Sequence, residues 1–155
     1  MEALSHILMA TDGSSNALRA ADYAAKLAQS AQAKVTIVMA HAEDGLYMEA
    51  LGPAVLPGAV PYSAMSVSEL KAAVEKHAAQ SAIAETAKVF AASDDIDVLQ
   101  RWGQLSNVIC EIAEEVEADM IVLGTRGRSN FAKLLLGSVS TQVVNHAHRP
   151  VLLIP

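Results

Sequence analysis

Gly124-Thr-Arg-Gly127-Arg-Ser-Asn-Phe-Ala-Lys-Leu-Leu-Leu-Gly137-Ser138 is the stretch that decides how this chain folds. The residues before it, 118–124, form a short and largely apolar run, which is typical of a parallel strand covered on both faces. We therefore predict a central strand there. After the stretch, Ser138 can cap a helix that continues through 139–144. The unpaired N–H groups and partial positive charge of such a helix end favour an anion.

The glycine spacing of this connection is its second notable feature. Two residues separate Gly124 from Gly127, and nine separate Gly127 from Gly137. Glycine lets the backbone approach a phosphate closely and adopt positive φ. Positive charge is added to an otherwise acidic chain by Arg126, Arg128 and Lys133. The spacing alone leaves two interpretations open, a polyphosphate cradle or a plain tight connection.

The pattern Gly-x2-Gly-x9-Gly-Ser resembles the signature of the ATP-binding branch of the universal stress protein family. The likeness covers nearly the whole chain, including Thr-Asp-Gly-Ser at 11–14, His-Ala at 41–42 and the segment 137–154. The resemblance implies a single nucleotide-binding domain over residues 1–155. It also implies an open, doubly wound, Rossmann-like sheet of five parallel strands in the order 3-2-1-4-5.

The periodicity along the chain independently predicts strands that alternate with helices, the pattern of an α/β fold. Strands are predicted at 6–12, 34–41, 96–102, 118–124 and 151–154, and four helices begin after Gly13, at 69, at 106 and at 138. Polar residues in the third strand, Asp97 and Arg101, indicate an edge position. The segment 43–66, rich in glycine and proline, is interpreted as a disordered insertion, with a ligand-covering loop as the alternative.

The strand order implied by the resemblance predicts where a ligand binds. The order reverses between strands 1 and 4, and ligands of open α/β sheets bind beyond the carboxyl ends of such strands. Thr11-Asp12 and Gly124-Thr125 are therefore expected to meet at one crevice. By resemblance, the adenine side is lined by Ala10, Thr11 and Ala42, where the family usually has a valine in place of Ala42.

The remaining site residues concern the ribose, the phosphates and a metal ion. Asp12 is expected to contact the ribose or to hold Mg²⁺ through water, and a helix N-cap is the alternative. By resemblance, the phosphates are held by Gly124, Gly127, Gly137 and Ser138 with the N–H groups of Val139 and Ser140. Thr125 and Arg126 belong to the same predicted cofactor-binding set, although the arginines of the loop are expected mainly at the surface.

Composition narrows the classes of function. A net charge of −6 disfavours nucleic-acid binding, which depends on basic patches. The single cysteine, Cys110, is predicted to be a buried thiol, and with no apolar leader before the first strand the chain is expected in the cytoplasm. No run approaches the roughly 20 apolar residues of a membrane span. The five histidines show no spacing typical of a metal site, and no catalytic residue is predicted.

Two other nucleotide-binding motifs are excluded by the sequence. A Walker loop requires Gly-x4-Gly-Lys followed by Ser or Thr, and no such run occurs. An adenylating PP-loop would place its acidic residue later than Asp12. By resemblance, we expect an ATP-binding protein, with Mg²⁺, that acts as a nucleotide-responsive regulator or stress-tolerance factor. The apolar strand 151–154, expected at the sheet edge, predicts a homodimer through that strand. The alternatives are a slow ATPase and an interaction module with a structural nucleotide.

Overall fold

Strands and helices alternate along the chain in a computed structural model that describes residues 3–42, 67–90, 96–127 and 136–155. Within these ranges the elements are β1 (His6–Ala10), α1 (Ser15–Ala31), β2 (Lys34–His41), α2 (Val67–Val89), β3 (Ile96–Trp102), α3 (Leu105–Glu115), β4 (Met120–Gly124), α4 (Ser138–His146) and β5 (Val151–Ile154). The predicted segment 43–66 and the loop residues Arg128 and Lys133 lie outside the described residues.

The five strands form one parallel sheet in the order β3-β2-β1-β4-β5, which confirms the predicted fold class and strand order. Residue Ile7 of β1 is in register with Val35 of β2 on one side and with Met120 of β4 on the other. The strand order reverses between β1 and β4. As its polar sequence predicts, β3 lies at one edge of the sheet.

Two apolar layers cover the two faces of the sheet. One consists of α1, the end of α2 and residues such as Ile7, Val35 and Phe90. The other consists of α3, α4 and residues such as Leu8 and Ile121. The buried side of α1 is made of alanines, which let the helix lie close to the strands: Ala17, Ala20, Ala21, Ala24 and Ala28. The bulkier Leu18 and Leu27 of the same helix are only half-buried.

Several element ends differ from the prediction. β1 ends at Ala10, so Thr11 and Asp12 lie beyond the strand. The helix α2 spans Val67–Val89 and therefore begins two residues before the predicted start at 69. The predicted cap of α4, Ser138, is the first helical residue, and Gly137 occupies the cap position. Because Gly137 has no side chain, the start of α4 is left open toward its surroundings.

In the described part of the chain, no helix combines the length and apolar character that crossing a membrane requires.

Candidate functional site

A cavity of about 390 Å³ opens at the carboxyl ends of β1, β2 and β4. Its volume lies within the usual range of small-molecule sites, about 300–1,000 Å³. Eleven of the twelve predicted cofactor-binding residues line it: Ala10, Thr11, Asp12, Ala42, Gly124, Arg126, Gly127, Gly137, Ser138, Val139 and Ser140. The exception is Thr125, whose backbone N–H donates to Ile154 and whose carbonyl accepts from Gly137. The structure thus brings two distant motifs together at the strand-order reversal.

The turn after β1 carries an acidic side chain into this cavity. The Asp12 carboxylate accepts a hydrogen bond from the backbone N–H of Ser14 at 2.9 Å. The cap of α1 is Ser14, whose hydroxyl accepts from the N–H of Ala17 at 3.2 Å. The alternative of Asp12 as the N-cap is therefore wrong, because Ser14 occupies that position. The turn between them contains Gly13 at φ +76°, a conformation that favours glycine.

The connection after β4 is held to α4 by short hydrogen bonds. The Gly137 N–H donates to the Thr125 carbonyl at 2.6 Å. The Ser140 hydroxyl lies 3.0 Å from the Gly124 carbonyl and 3.1 Å from the Thr125 carbonyl. This hydroxyl is therefore engaged by the protein backbone. The first N–H groups of an α-helix have no partner within the helix, so those of Ser138 and its neighbours are the groups that α4 presents at the cavity.

Gly124, the last residue of β4, and Gly127, in the loop after it, are each required to be glycine for a different structural reason. A Cβ on Gly127 would lie 2.6 Å from a carboxylate oxygen of Asp12. A Cβ on Gly124 would lie 2.9 Å from the backbone carbon of Asn16, in the first turn of α1. Gly127 therefore lets the loop approach the Asp12 carboxylate, whereas Gly124 lets α1 pack against β4. The family resemblance implies one role, phosphate binding, for both glycines.

The charges around the cavity are few and of both signs. Arg126 lines it and is half-buried, although we expected it mainly at the surface. Among the described residues, no group of three or more His, Cys, Asp or Glu side chains could hold a metal ion. A single carboxylate such as Asp12 still suits Mg²⁺, which commonly takes one or two carboxylates together with substrate phosphates. The residues present thus fit a nucleotide better than a free metal ion.

Sequence reasoning missed part of the cavity wall. His41 lines it, is buried, stacks on Trp102 at 4.6 Å between ring centroids and lies 3.1 Å from the Gln100 side-chain oxygen. Ala42 was assigned by resemblance, and the rule that ligands bind beyond the carboxyl ends of strands could have found its neighbour His41 at the end of β2. Other missed residues are Ala17, Val38, Met39, Ala40, Ala78, Ala79, Leu105, Ile109 and Leu123. Those from α2 and α3 carry no local signal, because their positions depend on helix packing.

The lone cysteine differs from its prediction. Cys110 is half-buried on α3 and packs at the border of the core rather than inside it. Partial burial, with the nearby Glu111 and Glu114 carboxylates, raises the pKa of its thiol. A raised pKa keeps the thiol protonated at neutral pH, and the thiolate is the reactive form. The thiol of Cys110 is thus less readily deprotonated than that of an ordinary cysteine.

Comparisons with known proteins agree with this architecture. The model of the universal stress protein family matches residues 4–155. The universal stress protein MJ0531 of Methanocaldococcus jannaschii is 32% identical over 152 residues, which cover 96% of this chain and 80% of the relative. Four other universal stress proteins match 34–37% of this chain and only 16–52% of their own lengths.

Solved structures show the same fold. The hypothetical protein MJ0577 superposes with a TM-score of 0.76 at 21% identity, over 99% of this chain and 96% of its own. A universal stress protein in complex with cAMP superposes with a TM-score of 0.64 at 27% identity, over 99% of this chain and 98% of its own. Since the family model spans nearly the whole chain, the protein belongs to the universal stress protein family.

Proposed function

We propose that this protein belongs to the ATP-binding branch of its family and binds ATP in the cavity between β1 and β4. In this proposal it acts in the cytoplasm as a single-domain, dimeric regulator or stress-tolerance factor that responds to the bound nucleotide. The observation that carries the proposal is the approach of Gly127 to Asp12 beside the open start of α4. Glycine at the points of close approach, beside a helix N-terminus, is suited to phosphates.

The two sides of the cavity suit the two parts of a nucleotide. Small apolar residues, including Ala10, Ala42 and Val38, form the side expected to hold the adenine. The other side has the N–H groups at the start of α4 and the Arg126 guanidinium, which would hold the phosphates. The related protein in complex with cAMP, at 27% identity, supports an adenine nucleotide as the class of ligand.

Mg²⁺ is part of the proposed ligand. Polyphosphates and a carboxylate repel each other, and a bound divalent cation removes this repulsion. Asp12 is the residue that would hold the cation, directly or through water. We therefore expect Mg²⁺ to strengthen ATP binding.

Calorimetric titration of the purified protein with ATP and Mg²⁺ tests the proposal. The substitution Gly127→Glu adds a bulky anion against Asp12, so we expect the Kd to rise more than tenfold, or about 1.4 kcal/mol. The control is Ala84→Glu, which adds the same charge at an exposed position of α2. Unchanged affinity in a folded Gly127→Glu variant, or no ATP binding by the wild type, would overturn the proposal.

The proposed dimer forms through β5. This strand lies at the sheet edge, and its apolar residues Val151, Leu152 and Leu153 are only half-buried in one chain. The other edge strand, β3, is more exposed and polar and makes ion pairs with Lys34 and Glu115. An apolar edge favours pairing with a second copy, and a charged edge opposes it.

Leu153→Lys tests this interface by placing a charge on the apolar edge. We expect a monomer by light scattering at micromolar concentration, where the wild type is a dimer. Val98→Lys is the matched control, since Val98 is 44% exposed on the opposite edge. A wild type that is monomeric at this concentration would refute the dimer without affecting the ATP proposal.

A further inference from the structure

A buried chain of hydroxyl groups lies behind the turn that carries Asp12. The hydroxyls of Thr11 and Thr86 are 2.8 Å apart, and Thr86 donates to the Ala82 carbonyl at 2.8 Å. Each hydroxyl has one proton to donate. Because the Thr86 proton is used by Ala82, Thr11 must donate to Thr86. The Thr11 oxygen in turn accepts from the Gly13 N–H at 3.2 Å.

The same part of α2 also contacts the turn directly. A Cβ on Gly13 would lie 2.5 Å from the Cβ of Ala82, so the turn has no room to move toward α2. Thr86 is fully buried and Thr11 nearly so. The turn is thus supported from behind by packing against Ala82 and by a hydrogen-bond chain of fixed direction.

We propose that Thr86 is a positioning residue for the cavity, acting through Thr11 and Gly13 on the orientation of Asp12. This inference rests on the proposed ATP site. Without the Thr86 hydroxyl, the buried Thr11 proton has no acceptor, and a buried donor without a partner is costly. Thr11 then rotates, the Gly13 N–H loses its acceptor, and the Asp12 carboxylate is no longer held against Gly127.

Thr86→Val tests the inference because valine keeps the shape of threonine and removes the hydroxyl. We expect the Kd for ATP with Mg²⁺ to rise about tenfold. Thr86→Ser keeps the hydroxyl and is expected to bind nearly as the wild type does. The matched control is Thr36→Val, which removes another buried hydroxyl, bonded to His6 toward the opposite end of the sheet. It should lower stability but leave the Kd unchanged.

Amide hydrogen exchange at Gly13, measured by NMR without nucleotide, separates this inference from the ATP proposal. We expect exchange to accelerate in Thr86→Val and to be restored in Thr86→Ser. If the wild type does not bind ATP, the proposed function fails, and the Gly13 exchange alone decides the positioning role.

Wild-type affinity or wild-type Gly13 exchange in Thr86→Val would overturn the inference, as would a serine variant as weak as the valine variant. If the valine variant fails to fold, Thr86→Ala removes the same hydroxyl and is judged by the same two measurements.

Discussion

The polar groups at the two ends of the sheet differ in their surroundings. At the amino end, the Asp119 carboxylate accepts hydrogen bonds from the Ser5 N–H at 2.7 Å, the Ser5 hydroxyl at 2.8 Å and the His6 N–H at 2.9 Å. Beside it, Lys34 pairs with Asp97 at 2.7 Å. At the carboxyl end, Asp12, Arg126 and the start of α4 all line a cavity.

Under the proposed function, this contrast separates an end with a structural role from an end with a binding role. Parallel strands place all their carboxyl ends at one edge, where turns and helix starts collect. At the amino end, side chains of the protein satisfy the backbone groups. At the carboxyl end, Gly137 gives the start of α4 no side-chain cap, and Gly127 lets the loop backbone lie close to the Asp12 carboxylate. The described polar groups are thus paired within the protein at one end of the sheet and line a cavity at the other.

The largest expected effect concerns stability at the carboxyl end. Gly124→Ala places a methyl group against the backbone of Asn16, and α1 must shift to accommodate it. Such overpacking of a buried position costs about 1–3 kcal/mol. We expect a loss of that size in the free energy of unfolding, measured by urea denaturation.

Gly127→Ala is the matched comparison, because among the described residues its new methyl group meets the carboxylate of Asp12 and no backbone atom. Its stability should stay close to that of the wild type while its ATP affinity falls. If the two variants behave alike, the distinction between a packing glycine and a binding glycine at this end is wrong.

The sequence predicted the sheet better than the cavity. The bounds of β2 and β3 were correct, because both runs carry strong strand patterns and end at the residues that the structure shows. The predicted end of β1, at Asp12, is two residues beyond its observed end at Ala10. Nothing in the local sequence separates Thr11 and Asp12 from the strand before them. The remaining cavity residues depend on tertiary packing. For example, α2 brings Ala78 and Ala79 to the cavity, and nothing in the sequence around them indicates this position.

The second prediction concerns the amino end and its pH dependence. Hydrogen bonds from Ser5 and His6 hold the pKa of Asp119 below its ordinary value of 3.8. A carboxyl group with a lowered pKa in the folded state stabilises the fold above its unfolded pKa, and this contribution is lost as pH falls through the folded pKa. Asp119→Ala should therefore cost about 1 kcal/mol at pH 7, and less as pH falls below about 4.

Urea unfolding at pH 7, 5, 4 and 3 measures this difference. The control is Asp97→Ala, which removes the same charge at the same end but from an exposed ion pair, where little change in stability is expected. Neither variant should alter ATP affinity. A loss of ATP binding in Asp119→Ala would contradict the distinction between a structural amino end and a binding carboxyl end.

The smallest expected effect is the turnover of ATP itself. Phosphoryl transfer requires a positioned water as well as neutralised charge, and the carboxyl end supplies mainly the second. Residues 125–137 include no Glu, Gln or His that could orient a water. His41 does line the cavity, but it is stacked on Trp102 and bonded to Gln100 beside Ala42, on the side proposed for adenine. We therefore expect single-turnover release of phosphate from radiolabelled ATP with Mg²⁺ to be slow or undetectable, with Gly127→Glu as the background control. A rate of about 1 per second, usual for working enzymes, would show that the open end is catalytic and would make the protein an ATPase.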